Sequence, residues 1–129
     1  MTVAPIDLFA SFVRLDRTGQ VRAEQPVFDP EWAGWQVMTF HGETDADVHA
    51  DHWEVHSAAD EVVSCLSGGI RVRFRPERPD GREEEVKLAA GTAVIVPRGR
   101  WHRITLDGPS DIMSITFPRG SRLEKRSEA

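Results

Sequence analysis

A chain of 129 residues, 40% hydrophobic and 29% charged, can bury the core of one globular domain and has an ordinary composition for one. Its net charge of −5 comes from interspersed acidic and basic residues without a basic stripe, which argues against nucleic-acid binding. No apolar run approaches the roughly 18–20 residues of a membrane span. The first residues lack the basic and apolar regions of a signal peptide, and the single cysteine cannot close an internal disulfide. A cytoplasmic protein that does not engage membranes is expected.

Residues 1–10 read as an arm. Ser11 to Asp16 alternates apolar and polar side chains, Arg17-Thr18-Gly19 turns, and Gln20 to Gln25 returns as a partner strand. Phe28 to Gly34 carries the signals of one helical turn, with Asp29 as N-cap, Pro30 at the first helical position and Gly34 as the stop. Trp35 to Phe40 is a strand, His41 to Asp47 a polar loop, and His49 to His56 a strand. A small polar turn, Ser57-Ala58-Ala59-Asp60, leads into a strand from Glu61 to Leu66 that ends at Gly68-Gly69. Ile70 to Arg75 alternates, with Ile70, Val72 and Phe74 on one face and Arg71, Arg73 and Arg75 on the other. Pro76 to Arg82 is a hairpin tip, Glu83 to Leu88 returns, and Ala89-Ala90-Gly91 turns. Thr92 to Val96 is a buried-type strand stopped by Pro97-Arg98-Gly99. Strands from Trp101 to Leu106 and Ile112 to Phe117 flank a turn at Asp107-Gly108-Pro109-Ser110. Residues 119–129 are a charged, helix-compatible tail, read as mobile or as a short surface helix. Nine or ten short strands and almost no helical periodicity predict an all-β fold, an antiparallel sandwich or barrel.

Two stretches carry chemistry. Glu54 and His56 are two residues apart on one strand and share a face, and Glu61 meets them from the next strand. Two carboxylates and an imidazole so placed form a candidate metal or acid/base site. His52 shares that face about 6–7 Å from Glu54. Downstream, Gly91 and Gly99 supply backbone freedom around Pro97, and His102 opens a new strand. If His102 points inward, Ile104 and Leu106 share its face, while Trp101, Arg103 and Thr105 point outward.

Together these stretches resemble the paired motifs of the cupin superfamily. The first, usually ending His-x-His-x(3,4)-Glu-x6-Gly, is matched by Glu54-x-His56-x4-Glu61-x6-Gly68. The second, Gly-x5-Pro-x-Gly-x2-His, is matched at all four fixed positions by Gly91, Pro97, Gly99 and His102. The resemblance implies a small double-stranded β-helix, or jelly-roll, barrel over about residues 35–117. That barrel would lie in a single domain, residues 1–118, with the tail after it. The resemblance also implies a divalent metal held in the barrel mouth by Glu54, His56, Glu61 and His102, and a homodimer formed through N-terminal strands. Glu54 departs from the pattern, where histidine is usual. Two imidazoles and two carboxylates would neutralise a divalent ion, which tilts preference toward Mn²⁺ or Fe²⁺ while leaving Zn²⁺ and Ni²⁺ open. It would also make the ion a weaker Lewis acid.

Other residues have blander readings. Cys65 reads as an inert buried thiol, and the Arg71, Arg73 and Arg75 stripe as a solvated strand face. Arg98 and Arg100 are candidate anion contacts near the mouth. His41 and His49 read as surface residues, Trp35, Met38 and Phe40 as core or interface, and Trp53 and Trp101 as packing outside the barrel. Three functions fit. One is a metal-dependent enzyme of dioxygenase, isomerase or lyase type acting on a small organic substrate, with His52 as a catalytic proton carrier. The others are a non-catalytic module binding a small ligand, and a metal-free epimerase-like enzyme relying on His102.

Overall fold

The computed structural model describes residues 3–127; the outermost residues of the expected arm and tail lie outside them. Alternating side chains produce strands almost throughout. They are β1 (Phe12–Leu15), β2 (Val21–Glu24), β3 (Trp35–Gly42), β4 (His52–Val55), β5 (Glu61–Ser67), β6 (Gly69–Phe74), β7 (Glu84–Ala89), β8 (Thr92–Val96), β9 (His102–Leu106), β10 (Ser110–Thr116) and β11 (Arg122–Lys125). Among the described residues the one helical element is a 3₁₀ helix, Asp45–Val48. The strands pair antiparallel in two sheets, ordered β2-β1-β3-β10-β5-β8 and β11-β4-β9-β6-β7. Strands distant in sequence lie side by side, as where Gln36 of β3 faces Thr116 of β10. This is the expected jelly-roll barrel.

Alternate residues of each strand point into the barrel. On β6, Ile70, Val72 and Phe74 are buried, while Arg71 and Arg73 pair outside with Asp107 and Glu85. Val63, Cys65, Leu88, Val96 and Ile112 complete the core, with Phe40, Val94, Ile104 and Leu106 packed against it. The inward side of three strands changes character along its length. β5 runs from Cys65 to Glu61, β9 from Leu106 to His102, and β10 from Ile112 to Thr116, each from an apolar floor to a polar rim, and Glu61, His102 and Thr116 are all buried.

Three segments differ from the sequence-based expectation. Between Phe28 and Gly34 there is a single turn and no helical turn. The Glu31 N–H donates to Asp29 Oδ1 at 2.9 Å and the Trp32 N–H to the Asp29 carbonyl at 3.1 Å. β3 starts at Trp35, too soon for helical bonding to propagate. β3 also continues through His41 to Gly42, because β10 pairs with it as far as Ser110 opposite Gly42. The 3₁₀ helix follows, and His49 ends it in the left-handed region (φ 51°), so β4 begins at His52 rather than His49. Last, Arg122–Lys125 is neither a mobile tail nor a helix. It is a strand paired with β4 in four registered positions, from Arg122 opposite Val55 to Lys125 opposite His52. β4 has one registered pair with β9, Glu54 opposite His102. Its other edge carries backbone groups that need partners, and the tail supplies them.

Candidate metal centre

β4 places Glu54 on the inner face and carries the chain to His56 at its end; β5 opens with Glu61 and β9 with His102. The turn after β8 is tied to this corner by a bond from the Gly99 N–H to the His56 carbonyl at 2.8 Å. Gly99 has φ +77°, a conformation that a residue with a Cβ adopts only under strain. One ligand atom from each of Glu54, His56, Glu61 and His102 lies within 4.8 Å of every other. The structure thus brings together the four residues singled out in the sequence. Glu61, His56 and His102 are buried, whereas the Glu54 side chain is 37% exposed.

Secondary contacts orient the rings. His102 Nδ1 lies 3.1 Å from the Arg100 carbonyl, which can only accept, so Nδ1 carries a proton. Its Nε2 then stands 3.0 Å from Glu61 Oε1, an approach that requires either a second proton or a cation between the two atoms. His56 Nε2 lies 2.8 Å from Glu54 Oε1 and 3.1 Å from Glu61 Oε2. It is nevertheless without an aligned hydrogen-bond partner among the described residues, because neither oxygen lies along its N–H direction. Thr116 Oγ1 donates to Glu61 Oε2 at 2.6 Å. A buried ring nitrogen flanked by two carboxylates but aligned with neither suits a shared cation better than a proton, so these residues fit a divalent metal.

The four groups are strongly coupled electrostatically. Burial alone would push His56 down, but the Glu54 and Glu61 carboxylates outweigh it and raise the imidazole to about 10. Burial likewise opposes charge on His102, and Glu61 with Glu54 raises it all the same. Burial would push Glu61 up, yet His102 and His56 pull it down to about 2. Two imidazoles and two carboxylates at this spacing stabilise one another's charged forms.

A cavity of about 650 Å³ adjoins the cluster. Phe12, Phe28, Met38, Phe40, Val63 and Ile104 give it apolar walls, and Glu54, Glu61 and His102 form its polar end. His52 also lines it, outside the cluster, with Nδ1 2.9 Å from Asp51 Oδ1. His41 and His49 stand at the same cavity, and His41 is clamped between Asp111 and Glu43, each at 2.7 Å. Arg98 and Arg100 do not line it. Arg98 lies 3.7 Å from Asp60, and Arg100 lies over the Phe74 ring. Arg103 packs against Trp53, Arg75 and Arg122 against Trp101, and Cys65 is fully buried.

Three supporting groups escaped the sequence reading: Thr116, the Arg100 carbonyl, and Ser121, whose Oγ lies 2.6 Å from His56 Nδ1. The inward alternation of β10 could have pointed to Thr116. Nothing local pointed to Ser121, because its approach depends on the pairing of β11 with β4.

Among solved structures, the fold is similar to that of a cupin-2 domain containing protein from Shewanella frigidimarina. The match has 24% identity and a TM-score of 0.50, covering 66% of this chain and 71% of that one. It is similar to the Fe(II) form of HppE in complex with substrate, at 21% identity and a TM-score of 0.51, covering 64% of this chain and 45% of that one. An oxalate decarboxylase matches at 18% identity and a TM-score of 0.52, covering 74% of this chain and 24% of that one. No curated protein matches the sequence significantly. The family model described as Cupin domain matches residues 37–118, a span that includes all four cluster residues and most of the barrel. With that span and this fold, the chain belongs to the cupin family.

Proposed function

We propose that the protein holds one divalent metal ion between Glu54, His56, Glu61 and His102 and acts on a small organic molecule in the adjoining cavity, in a reaction of dioxygenase, isomerase or lyase type. The observation that carries this reading is the convergence of four ligand atoms within 4.8 Å at the polar end of an apolar cavity. A divalent ion held by these four residues would supply a Lewis acid to oxygen donors of the substrate. Glu61 stays ionised under its bond from Thr116, and the two carboxylates balance the ion's charge. Half-exposed Glu54 lies on the cavity side, the apolar walls exclude water and orient the substrate, and His52, held by Asp51, moves a proton at the mouth. The oxygen-rich set favours Mn²⁺ or Fe²⁺ over Zn²⁺ or Ni²⁺. That HppE is known in an Fe(II) form with substrate supports this choice.

Elemental analysis of freshly purified protein tests the reading. One equivalent of metal is expected in the wild type and none in a His56→Ala, His102→Ala variant. A wild type that takes up no metal, even after reconstitution with Mn²⁺ and Fe²⁺, overturns it.

We further propose a cytoplasmic homodimer. No helix among the described residues is long and apolar enough to cross a membrane. The outer face of the six-stranded sheet exposes Val21, Trp35 and Ile95, and such an apolar face suits a second copy. Sedimentation velocity should give twice the 14.5 kDa chain mass for the wild type and the chain mass for Ile95→Glu; a monomeric wild type sinks the proposal.

A further inference from the structure

The C-terminal segment reaches the candidate metal centre from outside the matched family span, which ends at residue 118. It is held there by several bonds. The Gly120 N–H donates to the Pro30 carbonyl at 3.1 Å, Ser57 Oγ to the Gly120 carbonyl at 3.2 Å, and the Ser121 N–H to the Pro118 carbonyl at 3.0 Å. Gly120 has φ +79°, and a Cβ there would stand 2.8 Å from Ser57 Oγ. The left-handed backbone there favours glycine, and any side chain would also displace the Ser57 hydroxyl. These contacts bring Ser121 Oγ to 2.6 Å from His56 Nδ1.

The two imidazoles of the cluster are thus steered by different chemistry. His102 faces a carbonyl, an acceptor only, which fixes a proton on Nδ1. His56 faces a hydroxyl, which can accept from Nδ1–H or donate to a bare Nδ1. In both cases a short bond fixes the ring plane and aims Nε2 between Glu54 and Glu61. We infer that Ser121 is a positioning residue for His56, so that the segment leading into the C-terminal strand, although beyond the shared cupin span, supports the ligand set. Histidines that bind metals generally depend on such a partner for orientation. The inference rests on the proposed metal reading for its affinity test, and stands apart from it for its spectroscopic test.

Four variants separate a positioning role from a merely structural one. Ser121→Ala removes the hydroxyl. Ser121→Cys keeps nearly the same size with a weak hydrogen-bonding group, and serves if the alanine variant does not fold. Ser121→Thr keeps the hydroxyl. Ser57→Ala removes one tether of the same segment but leaves the Gly120–Pro30 bond in place, so it controls for loosening of the segment without loss of the Ser121 hydroxyl. In metal-free protein, long-range ¹⁵N spectra should show changed Nδ1 and Nε2 shifts of His56 in Ser121→Ala and Ser121→Cys, and wild-type shifts in Ser121→Thr and Ser57→Ala. In Co²⁺ titrations, affinity should fall about 10–100-fold in the first pair and stay within about threefold of wild type in the second. Wild-type ring shifts in both Ser121→Ala and Ser121→Cys, or an equal change in Ser57→Ala, overturn the inference. A wild type that binds no Co²⁺ defeats the metal reading, and the ring shifts then decide the role of Ser121 alone.

Discussion

Glu61 divides its two oxygens. Oε1 faces His102, while Oε2 faces His56 and accepts from Thr116 at 2.6 Å. Thr116 is the neutral donor in that arrangement, and a hydrogen bond to a buried charge contributes more than one between neutral groups. Thr116→Val, which keeps the shape, should lower stability by about 1.5–3 kcal/mol in urea unfolding; an unchanged midpoint would show that the bond contributes nothing. His41 is a second residue-scale case. Hydrogen bonds to Glu43 first and Asp111 second raise its pKa above the ordinary 6.5 and outweigh desolvation. A raised folded-state pKa means that stabilisation is fully present below 6.5 and is lost as pH rises through the higher folded value. The melting temperature of wild type should therefore exceed that of His41→Gln more at about pH 5.5 than at about pH 8.5. A gap independent of pH would contradict the clamp.

At the scale of elements, β4 is the vulnerable strand of the centre. It carries Glu54 and leads to His56, yet it has one registered pair with β9 against four with β11. Truncation after Arg119 should accelerate hydrogen exchange at the amides of His52–Val55, read by mass spectrometry, with less effect on β6, which lies between β7 and β9. Equal acceleration in both strands would mean that β11 holds the whole sheet rather than β4. The strands themselves were legible because period-two alternation is local: Ile70, Val72 and Phe74 against Arg71, Arg73 and Arg75 needs no knowledge of neighbours. Glu54, His56, Glu61 and His102 were legible because motif spacing survives in one dimension. What stayed hidden was non-local. Arg122–Lys125 has no apolar alternation of its own and becomes a strand because β4 offers an edge. Asp29 and Pro30 carry helix-start signals, but the start of β3 at Trp35 leaves no room for a helix.

At the scale of the molecule, the barrel packs its apolar end closely and keeps its cavity at the polar end. Ile112 lies at the floor, fully buried in the core cluster. Ile112→Ala should cost about 2–5 kcal/mol in chemical denaturation, depending on how far the floor collapses. A cost well under that range would mean that the floor repacks freely. The two sheets also differ on their outer surfaces. The five-stranded sheet carries Arg71 and Arg73 paired with Asp107 and Glu85, and Arg75 paired with Glu124. The six-stranded sheet carries Val21 and Ile95, largely uncovered, and Trp35, partly so. Dissolved salt acts on these surfaces in opposite senses. Ionic strength screens the arginine–carboxylate ladder, whereas a strongly hydrated anion such as sulfate strengthens the tendency of the apolar face to leave water. Sulfate thus weakens the ion pairs on one face while making the other face more adhesive, so the colloidal behaviour of the molecule in concentrated salt is set by the apolar sheet.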